Sequence, residues 1–199
     1  DVEFDSDTGL VTITPPENYH GTISFLVTAS DGFGSPASVV GELVVNPQND
    51  APIVFTPIAD QETAEDVPFV FTVPAGTFDD VDGDQVTLAV ALGMSAPEGA
   101  TATIDPDTDE ITVTTPQNFN GPIDVIVTAD DGAGGQVSDT FTLDVAAVND
   151  DPVANDDGGF SLDENTSLDI AASDLLVSDT DVDGDPLTVV SVSNAQNGS

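Results

Sequence analysis

The stretch ITPPENYHGTISFLVTASDGFG, Ile13 to Gly34, recurs as VTTPQNFNGPIDVIVTADDGAG, Val113 to Gly134, at an offset of 100 residues with no gap. In both copies apolar side chains alternate: Phe25, Val27 and Ala29 in the first, Val125, Val127 and Ala129 in the second. A period of two over a β-branched run is the signature of a strand with one face on a core and one toward solvent. Pro, Asn and Gly stand before each run and Asp-Gly after it, so each strand is bounded by turns. Tyr19 and Phe119 occupy matching places ahead of Gly21 and Gly121 and read as core plugs near the start of the strand.

Working outward, VVNPQNDAPI from Val44 aligns with DVAAVNDDPV from Asp144 at the same offset, and DDVDGDQVTL from Asp79 aligns with TDVDGDPLTV from Thr180, one residue further on. A repeat of about 100 residues divides the chain into three parts. Residues 1–50 read as the second half of a unit, 51–150 as a complete unit, and 151–199 as the first half of a further one. Joining the end to the beginning gives NGSDVEFDSDTGLVTIT, Asn197 through Ser199 and Asp1 to Thr14, which aligns without a gap to EGATATIDPDTDEITVT, Glu98 to Thr114. The expectation is one period of a two-domain repeat. It is met either by a long covalent tandem chain, the simpler arrangement because it needs no assembly entropy, or by a head-to-tail polymer in which 151–199 of one copy pairs with 1–50 of the next.

In the complete unit the spacing predicts strands over Val67–Val73, Gln85–Ala91, Ala100–Ile104, Ile111–Thr115, Ile123–Ala129 and Thr140–Val145. Asp105 to Asp109 forms a hairpin turn whose counterpart is Asp5 to Gly9. Short strands between Asp, Gly and Pro turns describe a β-sandwich, and no helical period is visible. There is no Cys, hence no disulfide or thiolate site, and no apolar run long enough to span a membrane.

The chain holds 38 Asp and Glu, no Lys or Arg and one His, a formal charge of −38. Its acids can therefore only repel one another, accept hydrogen bonds or bind cations. Nucleic acid and anionic membrane surfaces are poor partners for such a chain, since favourable phosphate contacts come chiefly from Lys and Arg, and no nucleic-acid partner is expected. The acids recur in three clusters: Glu65-Asp66 and Asp163-Glu164-Asn165; Asp79, Asp80, Asp82 and Asp84 with Asp179, Asp181, Asp183 and Asp185; and Asp31 or Asp130-Asp131 with the junctions Asn49-Asp50 and Asn149-Asp150-Asp151. Calcium takes six to eight oxygen ligands, and alternating Asp residues bring several carboxylates to one ion. One DxDGD element alone reads rather as a tight turn with Asp capping amides and Gly at positive φ; its recurrence in a chain without basic residues is what moves the reading to calcium. It is not an EF-hand, because position twelve from Asp80 is Ala91. His20 matches Asn120 and reads as a loop residue, while Asn18, Asn120 and the sequons at Asn165 and Asn197 carry no special signal.

The order of acidic Glu before a strand, DxDGD, a strand ending in Asp-Gly and an ND-x-P junction resembles cadherin-like tandem repeats. It is similar most closely to those of large secreted bacterial adhesins and extracellular calcium-stabilised filament proteins. The resemblance implies an all-β fold of tandem Ig-like (cadherin-like) β-sandwiches of about 100 residues joined end to end, with Ca2+ at the junctions. By position it implies a second-junction ion held by Glu65, Asn149 through its carbonyl, Asp150, Asp181 and Asp183. The first would use Asn49, Asp50, Asp80, Asp82 and Asp131, completed by Glu164 of the preceding copy. The chain departs from animal cadherins in having only Glu17 in PPENYHG and none in PQNFNG, which implies fewer ions per junction, and in lacking Trp. The expectation is a non-catalytic segment of an extracellular or cell-surface adhesin, filament or biofilm protein, whose partners are other copies of the repeat. The competing reading is a calcium-dependent carbohydrate-binding module with a surface glycan as partner. A hydrolase is disfavoured because the carboxylate clusters repeat in each unit.

Overall fold

The structure, a computed structural model, describes residues 1–193; the Asn197 to Ser199 part of the expected join and the Asn197 sequon lie outside the described residues. Four strands occupy residues 1–50: β1 (Val2–Asp5), β2 (Leu10–Ile13), β3 (Gly21–Ala29) and β4 (Ala37–Val45). Nine follow in residues 51–150: β5 (Ile53–Val54), β6 (Gln61–Ala64), β7 (Phe69–Thr72), β8 (Phe78–Asp79), β9 (Thr87–Leu92), β10 (Thr101–Asp105), β11 (Glu110–Thr114), β12 (Gly121–Asp130) and β13 (Gln136–Ala146). The protein is nearly all-β, as the alternating pattern predicts.

Residues 51–150 form a sandwich of a three-stranded sheet, β10-β11-β7, and a four-stranded sheet, β6-β13-β12-β9, with β5 and β8 paired at one end. All neighbours are antiparallel except β6 on β13, which run parallel. The period-two faces meet between the sheets: Ile111, Val113, Ile123, Val125, Val127, Phe141, Leu143 and Val145 are fully buried. Phe71 adds an aromatic contact, its ring centroid 5.6 Å from that of Phe141 and tilted against it. Phe119 packs against this core, as a plug should. Tyr19 instead stays more exposed, its hydroxyl donating to the Thr22 carbonyl oxygen at 3.0 Å.

Each of the six strands predicted in the complete unit is found within a few residues of its expected span. The sequence pattern misses β5, β6 and β8, which are two to four residues long and too short to show a period. The loop before β6 guards the part of β13 that β6 does not reach. The Ile58 N–H donates to Asp139 Oδ2 at 2.6 Å, and the Thr142 N–H to Asp60 Oδ1 at 2.8 Å, so two acids close an otherwise open edge. The hairpin turns match between copies. Asp105 Oδ1 accepts from the Asp107 N–H at 2.8 Å and Asp109 takes φ +54°; Asp5 Oδ1 accepts from the Asp7 N–H at 2.9 Å and Gly9 takes φ +74°. The Asp5 carboxyl is held below the usual carboxylate range by the Thr8 hydroxyl and then by the amides of Asp7 and Thr8.

Residues 1–50 pair only as two hairpins, β1-β2 and β3-β4. Residues 151–193 hold an isolated bridge between Val153 and Thr180 and one helical turn, α1 (Ala172–Leu175). That turn is an exception to the helix-free expectation. It sits where this segment is two residues longer than its counterpart, between the acidic Glu164 turn and DxDGD.

Burial predicts how the copies respond to truncation. Leu143→Ala, in the packed core, should cost about 2–5 kcal/mol. Leu43→Ala, at the matching but part-exposed place in β4, should cost less than about 1 kcal/mol under conditions where the chain is monomeric. Urea denaturation of the two variants checks the contrast.

Candidate metal centres at the two junctions

The DxDGD segments form the same turn twice. Asp80 Oδ1 accepts from the Asp82 N–H at 2.9 Å, and Gly83 takes φ +77°. In the second copy Asp181 Oδ1 accepts from the N–H groups of Asp183 and Asp185 at 3.0 and 3.1 Å, and Gly184 takes φ +79°. One oxygen of the leading Asp is thereby committed to the turn. The turn in exchange presents the next carboxylate to the junction: Asp82 Oδ2 accepts from the Asp50 N–H, and Asp183 Oδ2 from the Asp150 N–H, each at 2.7 Å. The tight turn and the oxygen-rich loop are thus one and the same structure.

At the second junction three parts of the chain converge. Glu65 follows β6 directly, its N–H continuing the ladder to the Ala146 carbonyl at 3.0 Å, and it is only 3% exposed. Its Oε1 accepts from the Val148 N–H at 2.6 Å and its Oε2 from Asn120 Nδ2 at 3.4 Å. Carboxylate oxygens of Glu65, Asp150 and Asp183 lie within 4.8 Å of one another. Asp150 Oδ2 is buried without a hydrogen-bond partner. Burial pushes the Asp150 carboxyl above its usual range, and repulsion from Asp66, Asp183, Glu65 and Asp181 adds to that. Asn149 turns its side-chain amide onto the Asp150 carbonyl oxygen at 2.8 Å.

The first junction is held from the other end of the sandwich. Asn49 Nδ2 donates to Asp131 Oδ2 at 2.9 Å and to the Asp50 carbonyl at 3.1 Å. Asp131, 9% exposed, accepts at Oδ1 from the N–H groups of Ala133, Gly134 and Gly135 at 2.7, 2.9 and 2.9 Å. The Asn49 amide and these backbone donors hold its carboxyl below the usual range, against the opposing effect of burial. A Cβ on Gly135 would collide with the Asp131 carboxylate and with Ala51, so glycine is required there. Asp80 Oδ2 is a second buried oxygen without a partner.

Of the residues singled out in the sequence, Glu65, Asp150 and Asp183 therefore meet at the second junction. Asp181 faces the same group closely enough to repel Asp150. Asn49, Asp50, Asp82 and Asp131 are joined by hydrogen bonds at the first, with Asp80 shaping the loop. Glu164 stands in an exposed turn, and the hydrogen bonds of both junctions are made without it. The sequence reading underrated Asn120, which holds Glu65, and left Asp66 without a role. Asp66 has φ +63°, and its Oδ1 accepts from the Asn118 N–H at 2.8 Å. A signal was available: Asn18 and Asn118 repeat at matching places, and both take positive φ, as do Asp66 and Asn165.

At the second junction the donor set is carboxylate oxygen from Glu65, Asp150 and Asp183, with Asp150 Oδ2 buried and orphaned; at the first, Asp80 Oδ2 is orphaned too, but among the described residues no three carboxylates meet there. The second-junction set fits a hard cation of calcium's kind and offers nothing to a soft one. In the comparisons with known proteins, residues 49–144 match the family described as bacterial Ig domain, and residues 148–199 that described as cadherin-like domain. Similar solved structures include protocadherin gamma B2 extracellular cadherin domains 1–5, at 20% identity over 78% of this chain and 32% of that one, TM-score 0.47. Drosophila N-cadherin EC1-4 is similar at 17% identity over 73% and 38%, TM-score 0.40. An endo-fucoidan hydrolase of glycoside hydrolase family 107 is similar at 20% identity over 69% and 20%, TM-score 0.38. The chain thus spans between a fifth and two fifths of the length of these structures. No curated protein matches it in sequence.

The crowding at Asp150 has a two-sided consequence. In the metal-free protein a carboxyl with a raised pKa stabilises the fold at low pH and loses that contribution as pH rises through its elevated value. Asp150→Asn should therefore raise the thermal midpoint in chelator at neutral pH while weakening calcium binding at least tenfold. Calorimetric melting and calcium titration of the variant check the opposite signs.

Proposed function

We propose that this chain, a cadherin-like repeat with a bacterial Ig-type unit, is a non-catalytic structural segment of an extracellular adhesin or surface filament whose inter-domain junctions are rigidified by calcium. The observation that carries the reading is the convergence of Glu65, Asp150 and Asp183, which come from the sandwich, the linker and the following unit. These three carboxylates would hold a cation between the sandwich, the linker and the following unit. Without it, the same carboxylates repel across the linker in a chain that has no Lys or Arg to offset them. Cadherin-like and bacterial Ig domains are typically extracellular and non-catalytic, and no helix among the described residues is long and apolar enough to cross a membrane. The recurrence of the DxDGD turn at both junctions supports ion binding over a single catalytic pair.

In this mechanism Glu65 is the fixed anchor. Its backbone is in the β6–β13 ladder, and its side chain is aimed by Val148 and Asn120. Asp150 and Asp183 arrive together because the Asp150 N–H is already bonded to Asp183. Calcium supplies the positive charge that lets the three carboxylates share one site.

Calcium at about 100 times its dissociation constant adds about 2.7 kcal/mol to a state that alone binds it. For a unit of this size that raises the melting midpoint by roughly 10 °C. Differential scanning calorimetry with calcium and with chelator should show that rise, and Glu65→Gln should remove most of it. A midpoint indifferent to calcium would sink the reading, and saturable binding on a glycan array would favour a carbohydrate-binding module.

A further inference from the structure

The strands by which the chain enters and leaves the complete unit lie side by side. β6 is reached from the Asn49-Asp50 linker, and β13 runs out into the Asn149-Asp150 linker. The two pair in parallel through four partners, Gln61 with Leu143, Glu62 with Asp144, Thr63 with Val145 and Ala64 with Ala146. By itself this is a short ladder. Side-chain carboxylates lengthen it at both ends without leaving its register. Ahead of β6 the Ile58 N–H donates to Asp139 Oδ2 across 81 positions, and the Thr142 N–H to Asp60 Oδ1 across 82, the same separation as Gln61 from Leu143 (143 − 61 = 82). Beyond β6 the Glu65 N–H donates to the Ala146 carbonyl oxygen, and the Val148 N–H donates to Glu65 Oε1 across 83 positions. Backbone and side-chain hydrogen bonds thus form one seam, with residues 58–65 on one side and 139–148 on the other.

Asp60 and Asp139 stand in for ladder carbonyls, each accepting from an amide of the opposite strand. The seam is pinned where it starts, because the Ile58 side chain is buried in the core. These two fastenings belong to this unit in particular. At the matching places the repeat carries Val39 for Asp139 and, in register with Glu65 and Glu164, Gly159 for Asp60. The direction of the seam decides what it resists. Strands of a parallel pair begin at the same end, so tension applied through the two linkers draws β6 back by its start and β13 forward by its end. The strands can then part only by sliding, and the hydrogen bonds across the seam are strained together rather than one after another. The β10-β11 hairpin lies off that path.

We propose that this seam is the mechanical clamp of the unit, and that Asp60, Asp139 and Glu65 are its outer fastenings, resisting tension as hydrogen-bond acceptors. The inference rests on the reading of the chain as a structural segment, which is what gives a clamp something to resist. It goes beyond that reading in placing the resistance inside the sandwich, on carboxylates that need no cation. Asp60 and Asp139 lie ahead of β6, at the far end of the seam from the Asp150 and Asp183 group, and both are already met by amides. Glu65 closes the near end, where the seam passes into the junction.

Single-molecule pulling of the full chain by its two ends, in chelator, tests the proposal. The unit's own unfolding is the event that frees the chain between residues 58 and 148, roughly 300 Å at about 3.4 Å per residue. Asp60→Ala removes one fastening at an exposed position. Asp105→Ala is the control, because it removes an Asp-to-amide hydrogen bond of the same 2.8 Å length from the β10-β11 turn, outside the seam. Forced unfolding reads the barrier rather than the equilibrium, so the melting midpoints of both variants are measured alongside. At a fixed force Asp60→Ala should unfold about tenfold faster than the wild type, the scale of one lost charge-assisted hydrogen bond. Asp105→Ala should stay within about twofold of the wild type, even where its midpoint falls as far. Equal acceleration by the two variants would overturn the proposal, as would an Asp60→Ala rate unchanged from the wild type. Pulling in chelator keeps this outcome apart from the junction reading, which the calorimetric response to calcium decides by itself.

Discussion

Every carboxylate in this protein has to be met by an uncharged hydrogen-bond donor, by water or by a cation, because no Lys or Arg exists to meet it. The fold is arranged around that restriction. Away from the junctions acids are spent on backbone N–H groups: Asp60 and Asp139 close the β13 edge, and Asp5 and Asp105 build hairpin turns. At the junctions the amides run out. Asp80 and Asp150 each keep a buried oxygen with no donor, and Asp150 shows the cost as a carboxyl pushed toward its neutral form. Among the described residues the two buried carboxylate oxygens left without a hydrogen-bond partner both lie where one unit meets the next, the place where a bound cation would have mechanical leverage.

The second organising constraint is the locality of strand pairing. Hairpins β1-β2 and β3-β4 stand by themselves because their partners are a few residues away in sequence. Residues 160–193 contain the counterparts of β6, β7 and β9 yet form no strand, because all three of those strands take their hydrogen bonds from the other half. Apolar alternation alone is not enough to hold a strand; it needs an edge to lie against. The same rule links the segments to the junctions, since Glu65 is positioned by the parallel β6–β13 ladder and Glu164, without such a ladder, remains in an exposed turn.

Much of this was legible in the sequence. The 100-residue register, read with strand alternation, located the long strands to within a few residues and marked Val125, Val127 and Ala129 as core. The acidic clusters contain Glu65, Asp150 and Asp183 separately, and it was the cadherin-like resemblance that implied their grouping; they lie far apart in sequence and meet in space. What could not be read were features set by tertiary contact. Asn120 looks like a surface residue until β6 brings Glu65 beside it across 55 positions. That Phe25 faces Gly41 where the complete unit sets Val125 against Phe141 is invisible without the strand register. The short β5, β6 and β8 have too few residues to carry a period.

The central claim is that a cation at the Glu65, Asp150 and Asp183 group fixes the angle between successive units. The chain has no native cysteine, so spin labels can be placed at Thr101→Cys in the sandwich and Val177→Cys beyond the junction, both exposed positions. Pulsed dipolar spectroscopy, with labelled chain diluted in unlabelled chain, then reads the distance distribution across the junction. The account predicts one narrow distribution in calcium that broadens severalfold on chelation. A distribution equally broad, or equally narrow, in both conditions would contradict it.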